Sequence, residues 1–333
     1  MLNVALLDDY VRVGLDYADW SRLPAGAKVT VFDRHLTEAE AADALAPFDV
    51  LCTMRERMAL PRTLIERLPN LKAIVILGPR LANLDLAAAT EHGVAVVRTP
   101  FAGATARQTG SATPELTWGL MIATVRHLAL EDRRLRAGGW QRSIGMGLEG
   151  KTLGLLGLGN IGKRMARYAQ AFDMKPIAWS QNLTAEAAAQ VGVERVEKEE
   201  LFRRADILSV HLVLSGRTRG LVGAADLGLM KPGAYLINTS RGPIVDEAAL
   251  IAALRGGPLA GAGLDTFEQE PLPPDHPFRS MDNVTLTPHL GYVTTETLKA
   301  FYAAMPETIA ALVERGEGDV TNPEVMEKAR FRR

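Results

Sequence analysis

The sequence predicts an α/β protein built from two doubly wound parallel sheets. Short runs rich in Val, Ile and Leu alternate with helical stretches through the first hundred residues, and a second alternating series begins at Lys151. At 333 residues the chain is long enough to bury two separate cores. Parallel strands are covered by helices on both faces, so they read as continuous apolar runs, and strands alternating with helices imply right-handed crossovers.

In the first series the predicted strands are Val4–Leu7, Lys28–Phe32, Val50–Thr53, Ala73–Leu77 and Val94–Val97, with helices such as Glu38–Leu45 and Pro61–Leu68 between them. A long helix follows. Thr113 suits its N-cap, Pro114 its first turn, and Gly138-Gly139 its end after Ala137. The second series gives strands at Thr152–Leu156, Pro176–Trp179, Ile207–Val213, Ala234–Asn238, Gly261–Asp265 and Val284–Thr287. Helices are expected at Ile161–Phe172, Glu199–Arg204 and Glu247–Arg255. A last helix, Thr295–Glu314, leads into a short polar tail.

Bulk composition excludes several classes of partner. The 38 basic and 39 acidic residues leave a net charge of −1, which gives no electrostatic reason to bind nucleic acid or an anionic membrane. No apolar run approaches a bilayer span. The start, Met1 to Asp9, has no basic segment and meets two acids early, so it reads as a first strand rather than a signal peptide. The single cysteine, Cys52, rules out an intrachain disulfide and fits a cytoplasmic setting; it reads as a small apolar residue ending a strand rather than a nucleophile. The six histidines show no zinc-ligand spacing, and no metal is expected.

Two groups of residues carry chemistry. The first is the strand–turn–helix Thr152–Gly162, with Gly157-Leu158-Gly159-Asn160-Ile161-Gly162 at the turn. Gly157 permits the tight turn, Gly159 lets backbone approach a pyrophosphate, and Gly162 lets the helix pack on the strand. The helix N-terminus then offers free N–H groups to the anion. This predicts a bound dinucleotide; a ligand-free glycine turn and the related turn of S-adenosylmethionine methyltransferases are the competing readings. The next strand ends in Ser180-Gln181-Asn182, where an acid would mark NAD and a following arginine NADP. Neither cue is present, and these neutral residues can hydrogen-bond either form. The reading leans to NAD, with NADP open.

The second group is Arg241, Glu270 and His289, each following a predicted strand of the second sheet. Loops at the carboxyl ends of parallel strands meet at one rim, so distant residues converge there. Reducing a ketone needs a proton donor beside the carbonyl, and histidine serves in both directions near neutral pH. A carboxylate on its other ring nitrogen fixes the tautomer. Arginine matches a carboxylate with a two-pronged fork.

These segments resemble the D-isomer-specific 2-hydroxyacid dehydrogenase family, which includes phosphoglycerate, glycerate and D-lactate dehydrogenases. The likeness covers nearly the whole chain and is densest from Asp206–Leu212 through Lys231–Ala234 to Thr287-Pro288-His289. It implies NAD(P)-dependent reduction of a small 2-keto acid to a D-2-hydroxy acid, and the reverse. It implies that Arg241 binds the substrate carboxylate and keto oxygen, that His289 is the acid/base, that Glu270 is its partner, and that Asp265 holds the nicotinamide carboxamide. His211 and Thr239 are expected on the cofactor side of the sheet. It also implies a flavodoxin-like substrate domain formed by residues 1–102 and 293–333. A Rossmann cofactor domain, residues 103–292, would be inserted between the two parts, with the active site in the cleft. A homodimer joined through the segment Trp118–Leu148 is expected.

Several positions depart from the family pattern. The glycine-rich substrate loop reads Gly78-Pro79-Arg80, where Pro79 removes a backbone donor and Arg80 replaces a small residue. Arg55-Glu56-Arg57 suits a substrate with a second anionic group, or is simply a solvated charge run. Tyr292 stands where a small residue is more usual and would narrow the pocket. An NAD(H)-binding corepressor-like protein is the alternative function; such proteins tend to carry a longer disordered tail.

Overall fold

The computed structural model describes residues 1–77, 83–100 and 103–328. The chain divides into two compact units, one formed by Met1–Gln108 with Thr294–Arg333 and the other by Thr109–Val293.

Unit 1 holds β1 (Asn3–Leu6), β2 (Lys28–Val31), β3 (Val50–Cys52), β4 (Ala73–Ile76) and β5 (Ala95–Arg98), with a two-residue strand Asp319–Val320 added late. The spatial order from that late strand is β5-β4-β3-β1-β2. β1 to β5 are parallel, and Asp319–Val320 runs antiparallel to β5. Ala5, Leu51, Ile74 and Val96 put alternate side chains into a core completed by Ala41, Leu45, Leu64 and Ala88 from helices. The polar tail expected after the last helix is therefore partly a strand. Asn322 fastens it: its Oδ1 accepts from Val96 N–H at 2.8 Å, and its Nδ2 donates to Val94 O at 2.9 Å and Thr90 Oγ1 at 3.0 Å.

Unit 2 holds β6 (Thr152–Leu156), β7 (Lys175–Trp179), β8 (Glu194–Arg195), β9 (Ile207–Val210), β10 (Ala234–Asn238), β11 (Leu259–Leu264) and β12 (Val284–Leu286). Their order is β12-β11-β10-β9-β6-β7-β8, all parallel. The period of two along each strand feeds two apolar layers. Leu155, Ile207 and Ile237 face one layer with Met165, Ala166 and Ala169, while Leu156, Leu208 and Leu236 face the other with Leu201, Phe202 and Leu250. Short β8 pairs only with Ile177 and Ala178, so Pro176, the second residue of β7, needs no donor on that side.

Three expectations need correction. The long helix starts at Gly103, so Thr113 does not cap it and Pro114 lies inside it. It also stops at Val125; a second helix, Leu128–Arg136, follows a break at His127, which holds φ 54°. The break is covered by the returning chain: Met146 N–H donates to Val125 O at 2.8 Å, and a Cβ on Gly145 would lie 2.7 Å from that oxygen. Finally, the expected helix Thr295–Glu314 is segmented into Thr295–Ala303, Met305–Ala310 and a widened turn Ala311–Arg315. Pro306, which has no N–H to donate, begins the second piece.

Candidate active site

In unit 2 the functional candidates gather at the carboxyl ends of the strands. The β6 turn is shaped by glycine. Gly157 holds φ +109°, and a Cβ there would stand 2.6 Å from His211 O. A Cβ on Gly162 would stand 2.2 Å from Gly157 O, whereas one on Gly159 would meet nothing within 4 Å. The helix Asn160–Ala171 begins beneath that open spot with Gly159 as an N-cap that offers no side-chain acceptor. Its first N–H groups, those of Asn160 and Ile161 among them, thus face outward to an anion. Ser180, Gln181 and Asn182 form the turn that leaves β7, closed by Leu183 N–H donating to Ser180 O at 3.0 Å. Past β9, His211 Nε2 is buried without a hydrogen-bond partner, and burial pushes its pKa down to about 3. Open space at Gly159, uncapped N–H groups and an orphaned ring nitrogen fit a dinucleotide.

Arg241, Glu270 and His289 come from the loops after β10, β11 and β12. The first two loops are drawn together at Gly242, where a Cβ would lie 2.0 Å from the carbonyl carbon of Phe267. Only glycine allows backbone that close. His289 Nδ1 lies 2.6 Å from Glu270 Oε2, while Glu270 Oε1 accepts from Phe267 N–H at 2.9 Å. Burial works against the Glu270 charge. The hydrogen bond and charge of His289, the Phe267 N–H and the charge of Arg241 outweigh it, so the carboxyl sits below its ordinary value. Arg241 is steadied through its own Nη1, which donates to Ser240 O at 2.7 Å, and through its carbonyl, which accepts from Asn238 Nδ2 at 3.0 Å.

Asp265 is fully buried at the end of β11. Its carboxylate accepts from Thr287 Oγ1 (2.6 Å), Leu290 N–H (2.7 Å) and Gly291 N–H (2.9 Å). His289 sits inside that bracket with φ 54°, its own N–H donating to Asp265 O at 2.9 Å. Asp265 thereby braces the turn that presents the imidazole, a task that sequence reasoning missed; an acid ending one strand and a Thr-Pro-His turn ending the next was the available signal. Tyr292 is buried and sets its ring edge on His289, centroids 5.8 Å apart. Thr239 shares a 2.6 Å hydrogen bond with Thr117. Gly78, Pro79 and Arg80 lie outside the described residues, and Arg55 is in unit 1, where its Nη1 donates to Leu77 O at 3.3 Å. No group of His, Cys, Asp and Glu fit to hold a metal ion, and no helix long and apolar enough to cross a membrane, occurs among the described residues.

A doubly wound sheet with a dinucleotide turn and a histidine–carboxylate pair at one rim defines a nucleotide-dependent oxidoreductase. Residues 118–291 match the D-isomer specific 2-hydroxyacid dehydrogenase, NAD binding domain. A glyoxylate reductase of Aeropyrum pernix is 38% identical over 85% of this chain and 83% of its own length. A hydroxypyruvate reductase of Thermotoga maritima is 37% identical over 85% of this chain and 90% of its own. The crystal structure of a phosphoglycerate oxidoreductase from Vibrio cholerae superposes with a TM-score of 0.86 at 34% identity, covering 94% of this chain and 99% of that one. The chain belongs to the D-isomer-specific 2-hydroxyacid dehydrogenase family, and it is an NAD-dependent oxidoreductase.

Proposed function

We propose that the protein reduces a small 2-keto acid to the D-2-hydroxy acid, and runs the reverse, with His289 as acid/base. The observation that carries this reading is the 2.6 Å contact between His289 Nδ1 and Glu270 Oε2 in the same unit as the dinucleotide turn. With Nδ1 held by the carboxylate, Nε2 is the nitrogen left to give a proton to the keto oxygen or take it back. Glu270 stabilises the imidazolium that gives the proton. Arg241 anchors the substrate carboxylate through its planar fork and polarises the carbonyl. Bound NAD supplies the hydride that reaches the keto carbon, or receives it in oxidation. The names of the two relatives, a glyoxylate and a hydroxypyruvate reductase, support an acid of two or three carbons. In this reading unit 2 holds the cofactor and unit 1 the substrate, through Arg55, Gly78, Pro79 and Arg80, with Tyr292 bounding the pocket.

The reading includes a cytoplasmic homodimer. The exposed apolar side chains Leu128, Leu135, Trp140 and Ile144, the last two 76% and 94% exposed, cluster in one stretch of unit 2 and suit a second copy. Sedimentation at the mass of a single 36.0 kDa chain would remove that part of the reading. Replacing His289 with Ala should lower turnover of NADH with glyoxylate or hydroxypyruvate by about 10²–10⁴-fold while NADH still binds in a fluorescence titration. Undiminished turnover would take His289 out of the role.

A further inference from the structure

The loops leaving β1 and β3 in unit 1 are idle in the chemistry above. In the order β5-β4-β3-β1-β2 the winding reverses between β1 and β3. Their loops therefore part at the carboxyl edge, where ligands of doubly wound sheets bind. Both loops are strained: Asp8 (φ 56°), Arg12 (φ 55°) and Arg55 (φ 55°) hold the left-handed conformation, which non-glycine residues rarely adopt away from functional sites.

Asp8 is 2% exposed. Its Oδ1 accepts from the Tyr10 hydroxyl at 2.9 Å, with His35 Nδ1 at 3.7 Å, and its Oδ2 is buried with no hydrogen-bond partner. Burial pushes this carboxyl up, with Tyr10, His35 and Arg57 pulling against it. Arg57 donates to the Asp8 carbonyl oxygen at 2.7 Å, and its guanidinium carbon stands 4.6 Å from the centre of the Tyr10 ring. The loops thus set a buried acceptor in need of a donor beside a guanidinium fixed on two sides. A second anion brought to Arg57 would face the Asp8 carboxylate. A hydroxyl group suits both partners, since it donates to the one and accepts from the other.

We propose that Asp8 and Arg57 form a subsite for the hydroxyl group of a 2-keto acid hydroxylated beyond its keto carbon, with Tyr10 as the positioning residue. This rests on the keto-acid reductase reading and selects, within it, hydroxylated substrates over plain and phosphorylated ones.

The test is steady-state NADH oxidation with hydroxypyruvate, pyruvate and 3-phosphohydroxypyruvate by the wild type, Asp8→Asn and Tyr10→Phe. In kcat/KM the wild type should favour hydroxypyruvate over both others. Asp8→Asn should shrink the hydroxypyruvate-to-pyruvate ratio about tenfold, the loss expected when a polar contact to a substrate hydroxyl is broken. Tyr10→Phe, at a position 40% exposed and so safe for folding, should shrink it less and through KM. Equal ratios in all three proteins overturn the subsite, as does a phosphorylated keto acid that outperforms hydroxypyruvate. If the wild type oxidises NADH with none of the three, the parent reading falls and the subsite with it.

Discussion

The two sheets follow one winding plan and hold different things at their carboxyl edges. In unit 2 the left-handed turn after β6 is made by Gly157, and the space above Gly159 is empty of side chains. In unit 1 the left-handed positions after β1 and β3 are Asp8 and Arg55, two charged residues. Glycine makes room for backbone to approach a ligand. A charged residue in the same conformation instead fixes a charge at the rim. Topology thus chooses the place in both units, and residue type decides whether the place receives a phosphate or a substrate end.

The sharpest way to break this contrast is to put a side chain into the unit 2 turn. Gly157→Ala adds a Cβ that would stand 2.6 Å from His211 O at φ +109°. NADH binding should weaken by more than tenfold and unit 2 should lose about 1–3 kcal/mol; wild-type affinity in a fluorescence titration would show that the turn does not hold the cofactor. Next, Glu270→Gln removes the charge on His289 Nδ1 while keeping the shape. Turnover should fall about 10²-fold, and the alkaline fall of the reduction rate should move to lower pH, because the imidazolium loses its counter-charge. A pH profile superposable on the wild type would refute the pairing.

The smallest effect belongs to His211, which burial holds neutral down to about pH 3 against an ordinary value of 6.5. Below pH 6.5 the unfolded chain takes up a proton that the folded chain refuses. Stability contributed by the neutral ring is therefore whole above 6.5 and lost as pH falls toward 3. His211→Gln should flatten that slope by about 1 kcal/mol between pH 6.5 and 5.5, read from urea midpoints; an unaltered slope would place the ring in water.

The sheets were legible in the sequence because buried parallel strands leave continuous apolar runs, and Arg241, Glu270 and His289 because each follows such a run. What escaped has local causes. The break at His127 depends on Gly145 returning from eighteen residues further on to crowd Val125, a contact no periodicity records. Pro114 was read as a helix start because proline suits first turns, yet it sits inside a 23-residue helix. Asp319–Val320 is too short to show alternation and exists through Asn322. The Asp8–Tyr10–Arg57 cluster was hidden because Asp8 and Asp9 looked only like acids after a first strand.

The seam made by Asn322 has a consequence for how the molecule comes into being. Val94 and Val96 receive their side-chain partner from a residue more than two hundred positions later. A chain growing on the ribosome has released all of Thr109–Val293 before that partner emerges. The middle of the polypeptide can mature during translation, while the first-made portion must wait with an open border until synthesis is nearly over.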